Sequence, residues 1–340
     1  MKFIFFLSTV LLLCIGFVLM SEAIPVEAQL PLGLEPDFEV PAHNPMTLEK
    51  VSLGKRLFFD KNLSKDRSIS CGTCHDPAKG FSNGEAFSKG VSGELSQRNV
   101  PSIVNRLFGQ TQFWDGRAET LESQAQGPLF NSDEMAMDEN LLIKRLQADT
   151  IYYELFRDAF AAEPTLDGVL KAIAAYERTV VSAATAFDRY EWNGEKTALS
   201  ENAVRGIALF RGKARCSTCH IGTNFTDDKF HNIGAGIGVG QKDPGRAAVT
   251  KKSEDFGRFK TPTLRNITLT APYMHDGSLA TLEEVITFYD QGGHPNPNLD
   301  EEIKPLQLTD AEKADLLEFL KSLTGPIVSV SAEELKELSE

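Results

Sequence analysis

The spacing of apolar residues along the chain is mainly helical. Over residues 141–186, hydrophobic side chains recur every three to four positions, which is the period of one face of an α-helix. A segment that opens at Thr47 has the same spacing, and capping boxes at 281–284 and 309–312 predict the starts of two C-terminal helices. Long alternations of apolar and polar residues, which indicate strands, are absent. We therefore predict a mainly α protein with long irregular connections.

A partial internal repeat indicates two similar units. Residues 54–58 (GKRLF) precede CGTCH at 71–75, and residues 206–210 (GIALF) precede CSTCH at 216–220. In both units a helix end of the form G-x-x-L-F leads into C-x-T-C-H, and such self-similarity is typical of a repeated structural unit.

The polar stretch 192–201 lies between these units and is the expected seam. We predict an N-terminal domain over residues 29–197 and a C-terminal domain over 198–326. The last residues, 327–340, are rich in Ser and Glu and predict a solvated polar tail.

The N-terminus has the form of a secretory signal. Lys2 precedes an apolar run over residues 3–20 and the small-x-small sequence at 21–23. We predict a signal peptide over 1–23, with cleavage there or as late as residue 28, and hence an exported protein. The apolar run is also long enough to span a bilayer, so an uncleaved membrane anchor is the alternative.

Charge and cysteine content exclude several classes of protein. Lys and Arg total 35 against 48 Asp and Glu, a net charge of −13, whereas nucleic-acid binding requires a basic surface. An acidic surface favours a basic soluble partner instead. The 5 cysteines are too few for a disulfide scaffold of 340 residues, and Cys14 lies in the signal.

The other cysteines all belong to C-x-x-C-H motifs, the attachment signature of haem c. Two thiols bond to the haem vinyl groups, and the adjacent histidine ligates the iron. The sequence thus predicts two covalent haems, attached at Cys71, Cys74 and His75, and at Cys216, Cys219 and His220. Zinc would need the two pairs about 15–20 residues apart, and they are much further apart. A dithiol redox site would need a βαβ setting, which the pattern lacks.

The distal side of the first haem is predicted to be open. No histidine follows His75 before residue 133, and Met135 is the first methionine. An open iron site can bind peroxide, whereas a six-coordinate iron transfers electrons. Cleavage of peroxide also needs a base, and Glu134 is one of several acids nearby that could serve. Trp114, in the same polar region, is equally compatible with core packing.

The second haem has several candidate distal ligands. Composition favours Met274, because Met/His ligation gives a high-potential electron-transfer haem. Tyr289 falls on the apolar face of its predicted helix, where a core aromatic is the simpler interpretation. The full set of candidates is His231, Met274, His275, Tyr289 and His294.

Together these motifs resemble the bacterial di-haem cytochrome c peroxidases and MauG, a di-haem enzyme that matures a tryptophan-derived quinone in a partner protein. The resemblance covers about residues 48–325. Besides the two C-x-x-C-H motifs it is carried by RNVP (98–101), FWDGRAETLESQAQGP (113–128), EM (134–135), KTPTLRN (260–266) and APYMHDG (271–277).

The resemblance implies two cytochrome c-like haem domains and assigns roles to single residues. It implies that His75 ligates the peroxidatic haem and that Gln124 and Glu134 form its distal catalytic pair. Trp114 matches a tryptophan that lies between the haems and relays electrons. An inter-haem Ca²⁺ site is implied at Asn99 and the backbone carbonyls of Thr270 and Pro272, since a hard cation prefers oxygen ligands.

Two departures from the peroxidases favour similarity to MauG. Many of these peroxidases close the peroxidatic haem with a histidine in the region that matches residues 76–101, and this chain has none there. The position of their second axial methionine is Tyr289, and MauG also has tyrosine at that position. The resemblance therefore makes Tyr289 the predicted ligand and Met274 a packing residue, with a lower haem potential than His/Met ligation gives.

We therefore predict a periplasmic peroxidase that reduces hydrogen peroxide with electrons from a small cytochrome c or cupredoxin. The alternative is a MauG-like enzyme that uses peroxide to oxidise or modify a partner protein. A third hypothesis is a di-haem electron carrier without turnover. Assembly as a homodimer is left open.

Overall fold

The computed structural model describes residues 30–237 and 243–329, and helices dominate it. The predicted signal peptide lies outside the described residues. No helix in the described part is long and apolar enough to cross a membrane. In the first half the helices are α1 (Leu48–Phe59), α2 (Cys71–Cys74), α3 (Leu121–Phe130), α4 (Glu139–Ala148), α5 (Thr150–Phe160), α6 (Leu166–Thr179) and α7 (Ala186–Glu191). In the second half they are α8 (Glu201–Arg211), α9 (Ala247–Thr250), α10 (Leu282–Asp290) and α11 (Asp310–Lys321).

The helix starts follow the capping signals of the sequence. Thr47 caps α1 by accepting a hydrogen bond from Lys50 N, and Thr281 and Thr309 form complete capping boxes at α10 and α11. Short 3₁₀ turns interrupt the long connections, at Lys61–Leu63, Pro77–Lys79, Arg106–Phe108, Lys196–Ala198, Cys216–Thr218, Ser253–Asp255 and Ile267–Leu269. The prediction of a mainly α fold with irregular connections is confirmed.

The first residue of each G-x-x-L-F repeat lies where two helices cross. A Cβ on Gly54 would lie 1.8 Å from the carbonyl oxygen of Ala172 on α6, and one on Gly206 would lie 2.1 Å from that of Asp315 on α11. Only glycine permits this backbone approach. The repeat therefore encodes a close helix pair in each half, α1 with α6 and α8 with α11, directly before the haem-attachment motif.

Each helix pair contributes the leucine and phenylalanine of its repeat to a separate apolar core. Leu57 and Phe58 are fully buried in the first core, together with residues of α4, α5 and α6. Phe210 is buried in the second core, where its ring packs edge-on against Phe319 with centroids 4.9 Å apart. Each attachment motif therefore follows a helix that is anchored in its own apolar core.

The strands are short and form two antiparallel pairs. β2 (Phe230–His231) pairs with β3 (Phe259–Lys260), and β1 (Val180–Ser182) pairs with β4 (Ile327–Ser329). The predicted solvated tail therefore begins with a strand, because residues 327–329 hydrogen-bond to the segment after α6. The rest of that tail, residues 330–340, lies outside the described residues.

Candidate functional site

One cavity of about 740 Å³ runs between the two halves. Every residue that the sequence assigned to a haem, to the distal pair, to the relay or to calcium lines it. These residues are Cys71, Cys74, His75, Asn99, Trp114, Gln124, Glu134, Cys216, Cys219, His220, Thr270, Pro272 and Tyr289. The structure thus brings together side chains that are as distant in the chain as Cys71 and Tyr289.

The two motif histidines are held in the same way. His75 Nδ1 lies 3.0 Å from the carbonyl oxygen of Phe81, and His220 Nδ1 lies 2.9 Å from that of Phe225. Since a carbonyl only accepts, Nδ1 carries the proton in both rings, and Nε2 is left with a lone pair. Burial lowers the pKa of both histidines, which favours the neutral form that binds iron.

These surroundings fit covalently bound haem. Cys71, Cys74, Cys216 and Cys219 are all free thiols beside the cavity, and burial raises the pKa of Cys216 to about 12. In each motif a backbone carbonyl accepts a hydrogen bond from the imidazole Nδ1, and this arrangement orients a metal-ligating histidine. When bound, haem c at His75 would supply an iron that binds peroxide and stores its oxidising equivalents.

The predicted distal pair lies on one helix and the loop that follows it. Gln124 is on α3, and Glu134 lies four residues after the helix ends, with a half-buried side chain. Asn131 Nδ2 donates to Glu134 Oε1 at 2.8 Å, while Asn131 Oδ1 accepts from the backbone N of Asp133 at 3.1 Å. Asn131 thus fixes the carboxylate relative to its own loop. Sequence reasoning did not single out Asn131 for this contact.

Trp114 is tied to the predicted calcium residues. Its indole Nε1 donates to the carbonyl oxygen of Asn99 at 2.9 Å, and its own carbonyl accepts from Lys260 N at 2.8 Å. Asn99 Oδ1 and the carbonyl oxygens of Thr270 and Pro272 accept no hydrogen bond within the described residues, and all three residues line the cavity. Unpaired oxygens of this kind suit a hard cation.

On the second haem side, the structure reduces the number of candidate distal ligands. Both nitrogens of His231 are engaged by carboxylates, Nδ1 with Asp300 at 2.6 Å and Nε2 with Asp227 at 3.0 Å. His294 is exposed and does not line the cavity. Met274, His275 and Tyr289 do line it.

Tyr289 is a buried residue of α10 that lies near the second attachment motif. Its helix α10 also presents Val285 and Leu282 to the cavity, one and two turns earlier. Burial raises the pKa of Tyr289, and the nearby Cys216 and Cys219 raise it further. The phenol is therefore neutral in the metal-free protein and close to the second motif.

Several buried charges near the cavity escaped sequence reasoning, because their partners are distant in the chain. Arg98 bridges Asp115 at 2.7 Å and Asp243 at 2.7 Å. Lys260 and Arg106 both lie 3.4 Å from Asp228, and burial lowers the pKa of Lys260 to about 7.

A second group that sequence reasoning missed has the geometry of a metal site. The donor atoms of Cys219, Asp227 and His231 lie within 4.8 Å of one another. Attachment of haem converts the Cys219 thiol to a thioether, which removes the thiolate that a metal would bind. This group therefore belongs to the surroundings of the second haem.

Comparisons with known proteins agree with this geometry. The model of the family "Di-haem cytochrome c peroxidase" matches residues 48–197, and that of "Cytochrome c" matches residues 203–324. The chain is 42% identical to the methylamine utilization protein MauG of Methylorubrum extorquens, over 87% of this chain and 84% of that protein. It is 40% identical to cytochrome-c peroxidase IdrP1 of Denitromonas iodatirespirans, over 88% of each.

The fold of this chain is similar to a solved structure, that of a MauG-like protein associated with microbial copper homeostasis. The two proteins are 36% identical. The alignment covers 87% of this chain and 95% of that one, with a TM-score of 0.80.

Proposed function

The chain belongs to the di-haem cytochrome c peroxidase family, and we propose on that basis that it reduces hydrogen peroxide to water. The observation that carries this proposal is the single cavity, lined by both C-x-x-C-H motifs and by Gln124 and Glu134. Two haems c are the cofactors. The overall reaction takes up two electrons and two protons per peroxide and releases two waters.

The distal pair would manage the proton and the orientation of the substrate. Glu134 accepts a proton from the oxygen of peroxide nearer the first haem and returns it to the departing oxygen, as general acid–base catalysis requires. Asn131 holds that carboxylate in place at 2.8 Å. The Gln124 amide donates a hydrogen bond to the distal oxygen and orients it.

Electrons would enter through the second half. We propose a small periplasmic cytochrome c or cupredoxin as donor, with passage from the His220 side through Trp114 to the His75 side. The Trp114 indole is held at 2.9 Å by Asn99, and its backbone is held by Lys260. A Ca²⁺ ion at Asn99, Thr270 and Pro272 would fix the same region, because Asn99 both accepts the hydrogen bond from the Trp114 indole and would bind the ion.

A second candidate function is supported by two specific observations. Residues 76–101 contain no histidine that could close the first haem, and Tyr289 lines the second haem side where a peroxidase would have methionine. Both features favour a MauG-like enzyme that uses peroxide to oxidise a partner protein. The identity to MauG of Methylorubrum extorquens supports this candidate as well.

The test of the primary proposal is turnover of the haem-loaded protein with hydrogen peroxide and a reduced cytochrome c or cupredoxin. Glu134→Gln should lower kcat by about 10²–10⁴-fold, the usual contribution of a positioned acid–base group. Glu119→Gln, at an exposed acid just before α3 that does not line the cavity, is the matched control and should retain activity. Unchanged turnover in Glu134→Gln would refute the assignment of the base. Oxidation of a partner protein without donor turnover would favour the second candidate.

A further inference from the structure

The turn over residues 88–96, which follows the first attachment motif in the chain, contacts the loop that carries Glu134. An ideal Cβ built on Gly90 would lie 1.8 Å from the carbonyl oxygen of Asp133 and 2.9 Å from the Cα of Glu134. Real Cβ atoms do not approach other atoms so closely, so any side chain here would displace one of the two backbones. The contact is possible because residue 90 is glycine.

A hydrogen bond fixes the same contact. Val91 N donates to the carbonyl oxygen of Glu134 at 2.9 Å. The backbone of Glu134 is thus pressed against Gly90 and anchored by the following residue. Gly90 and Glu134 both line the cavity, so this junction forms part of its wall.

The turn itself is well braced. Gly90 N donates to Glu94 O at 3.1 Å, and Ser96 N donates to Ser88 O at 2.8 Å. The Ser96 hydroxyl accepts from Ser88 N at 2.9 Å and donates to Arg98 O at 2.9 Å. A turn with this many internal hydrogen bonds resists displacement, so a side chain at residue 90 would strain its contact with the Glu134 loop.

The base of the turn is held by the second half of the molecule. Asn99 Nδ2 donates to Glu85 O at 2.9 Å, and Asn99 N donates to His275 O at 2.7 Å. A Cβ on Gly277 would lie 2.6 Å from the Cα of Ala86, so the APYMHDG segment packs directly on the turn. The position of Glu134 is therefore set from the second half, through the turn.

We propose that Gly90 and Val91 are positioning residues for Glu134. They set the position of its carboxylate in the cavity wall and act through its backbone alone. This inference rests on the proposed acid–base role of Glu134. Displacement of a catalytic group by about 1 Å is enough to cost on the order of 10²-fold in rate.

The test is Gly90→Ala in the haem-loaded protein. The backbone of Gly90 does not have a positive φ, so alanine introduces a steric clash there without backbone strain. We expect kcat with peroxide to fall by about 10- to 100-fold, with an unchanged KM for the electron donor. Val91→Pro, which removes the N–H donor, should act in the same direction. Ser92→Ala, an exposed position in the same turn, is the control for general damage.

A second measurement does not depend on turnover. Hydrogen cyanide must lose a proton when it binds ferric haem, so its association rate reports the distal base. We expect Gly90→Ala to slow cyanide binding and to increase amide hydrogen exchange at Val91, with haem content and melting temperature as in Ser92→Ala. A normal cyanide rate together with normal turnover would overturn the inference.

The double variant separates this inference from the proposed function. If Gly90 acts through Glu134, then Gly90→Ala with Glu134→Gln should be no slower than Glu134→Gln alone, because groups that act as a unit are not additive. Full additivity would overturn the inference and leave Glu134 as the base. A slow Gly90→Ala beside an active Glu134→Gln would overturn both.

Discussion

The two haem-binding halves share one part of the cavity wall and differ in another. In each half a glycine allows a close helix pair, a C-x-x-C-H motif follows, and the histidine donates to a phenylalanine carbonyl. Elsewhere on the cavity wall, Gln124 and Glu134 come from the first half, whereas Tyr289 comes from α10 of the second. The repeat therefore accounts for the shared features, and the segments outside the repeat account for the differences.

The buried charges around the two cores also differ. Next to Phe187 of the second core, Arg265 and Asp188 of α7 form a bidentate ion pair at 2.8 and 3.0 Å, with both side chains 0% exposed. In the first half, Arg178 and Glu122 make a similar pair, but Glu177 beside them is buried without a hydrogen bond or ion pair in the described part of the chain. The cavity wall beside the first core thus includes a buried acid that has no partner among the described residues, whereas Arg265 and Asp188 beside the second core are fully paired.

The largest expected effect follows from breaking the fully buried pair of Arg265 and Asp188. Asp188→Asn leaves the Arg265 guanidinium buried without its counter-charge, and such a loss costs about 3–5 kcal/mol of unfolding free energy. Glu122→Gln should cost less, because the Arg178 and Glu122 side chains are 5% and 11% exposed. Urea denaturation followed by circular dichroism measures both.

The control for this prediction is an ion pair at the surface. Lys321 and Glu318 also pair at 2.8 Å, but their side chains are 50% and 41% exposed. Lys321→Gln should leave the urea midpoint unchanged, since water already screens that pair. If Glu122→Gln proved more destabilising than Asp188→Asn, the more deeply buried pair would not be the more costly one to break.

A change at one haem only is expected from Tyr289→Phe. Removal of the phenol oxygen should convert the second haem from six- to five-coordinate and leave the spectrum of the first haem unchanged. Met274→Leu is the matched control, because Met274 lines the same cavity. A sulfur-to-iron charge-transfer band in the native protein, lost in Met274→Leu, would instead assign methionine as the ligand and make the two distal sides differ in another way.

The sequence predicted those parts of this comparison that depend on local spacing. Capping residues such as Thr281 and Thr309 act within one helical turn, so helix starts could be predicted from the chain. The C-x-x-C-H motifs are also local, and the resemblance to a known family supplied Gln124, Glu134 and Tyr289. All of them line the cavity.

Contacts between distant segments could not be predicted in this way. The Arg265 to Asp188 pair joins residues 77 positions apart, and the contact between Gly90 and Asp133 joins two irregular loops. Neither has a periodic signal, because each depends on how the helices bring the loops together. The pairing of residues 327–329 with β1 was missed for the same reason, since a three-residue strand has too few positions to show alternation.

The last expected effect is a pH dependence to which the first half contributes through Glu177. Burial raises the pKa of Glu177 from 4.5 to about 8. Between these values the Glu177 carboxyl keeps its proton in the folded protein and has lost it in the unfolded chain, so its contribution to the unfolding free energy falls as pH rises from about 4.5 to 8 and levels off above that. Glu177→Gln, which cannot ionise, should remove this contribution in urea titrations at pH 5, 6.5 and 8. Glu154→Gln, an exposed acid on α5, should leave it intact. An identical slope in both variants would mean that Glu177 is paired in the haem-loaded protein, and the contrast in buried charge between the halves would then disappear.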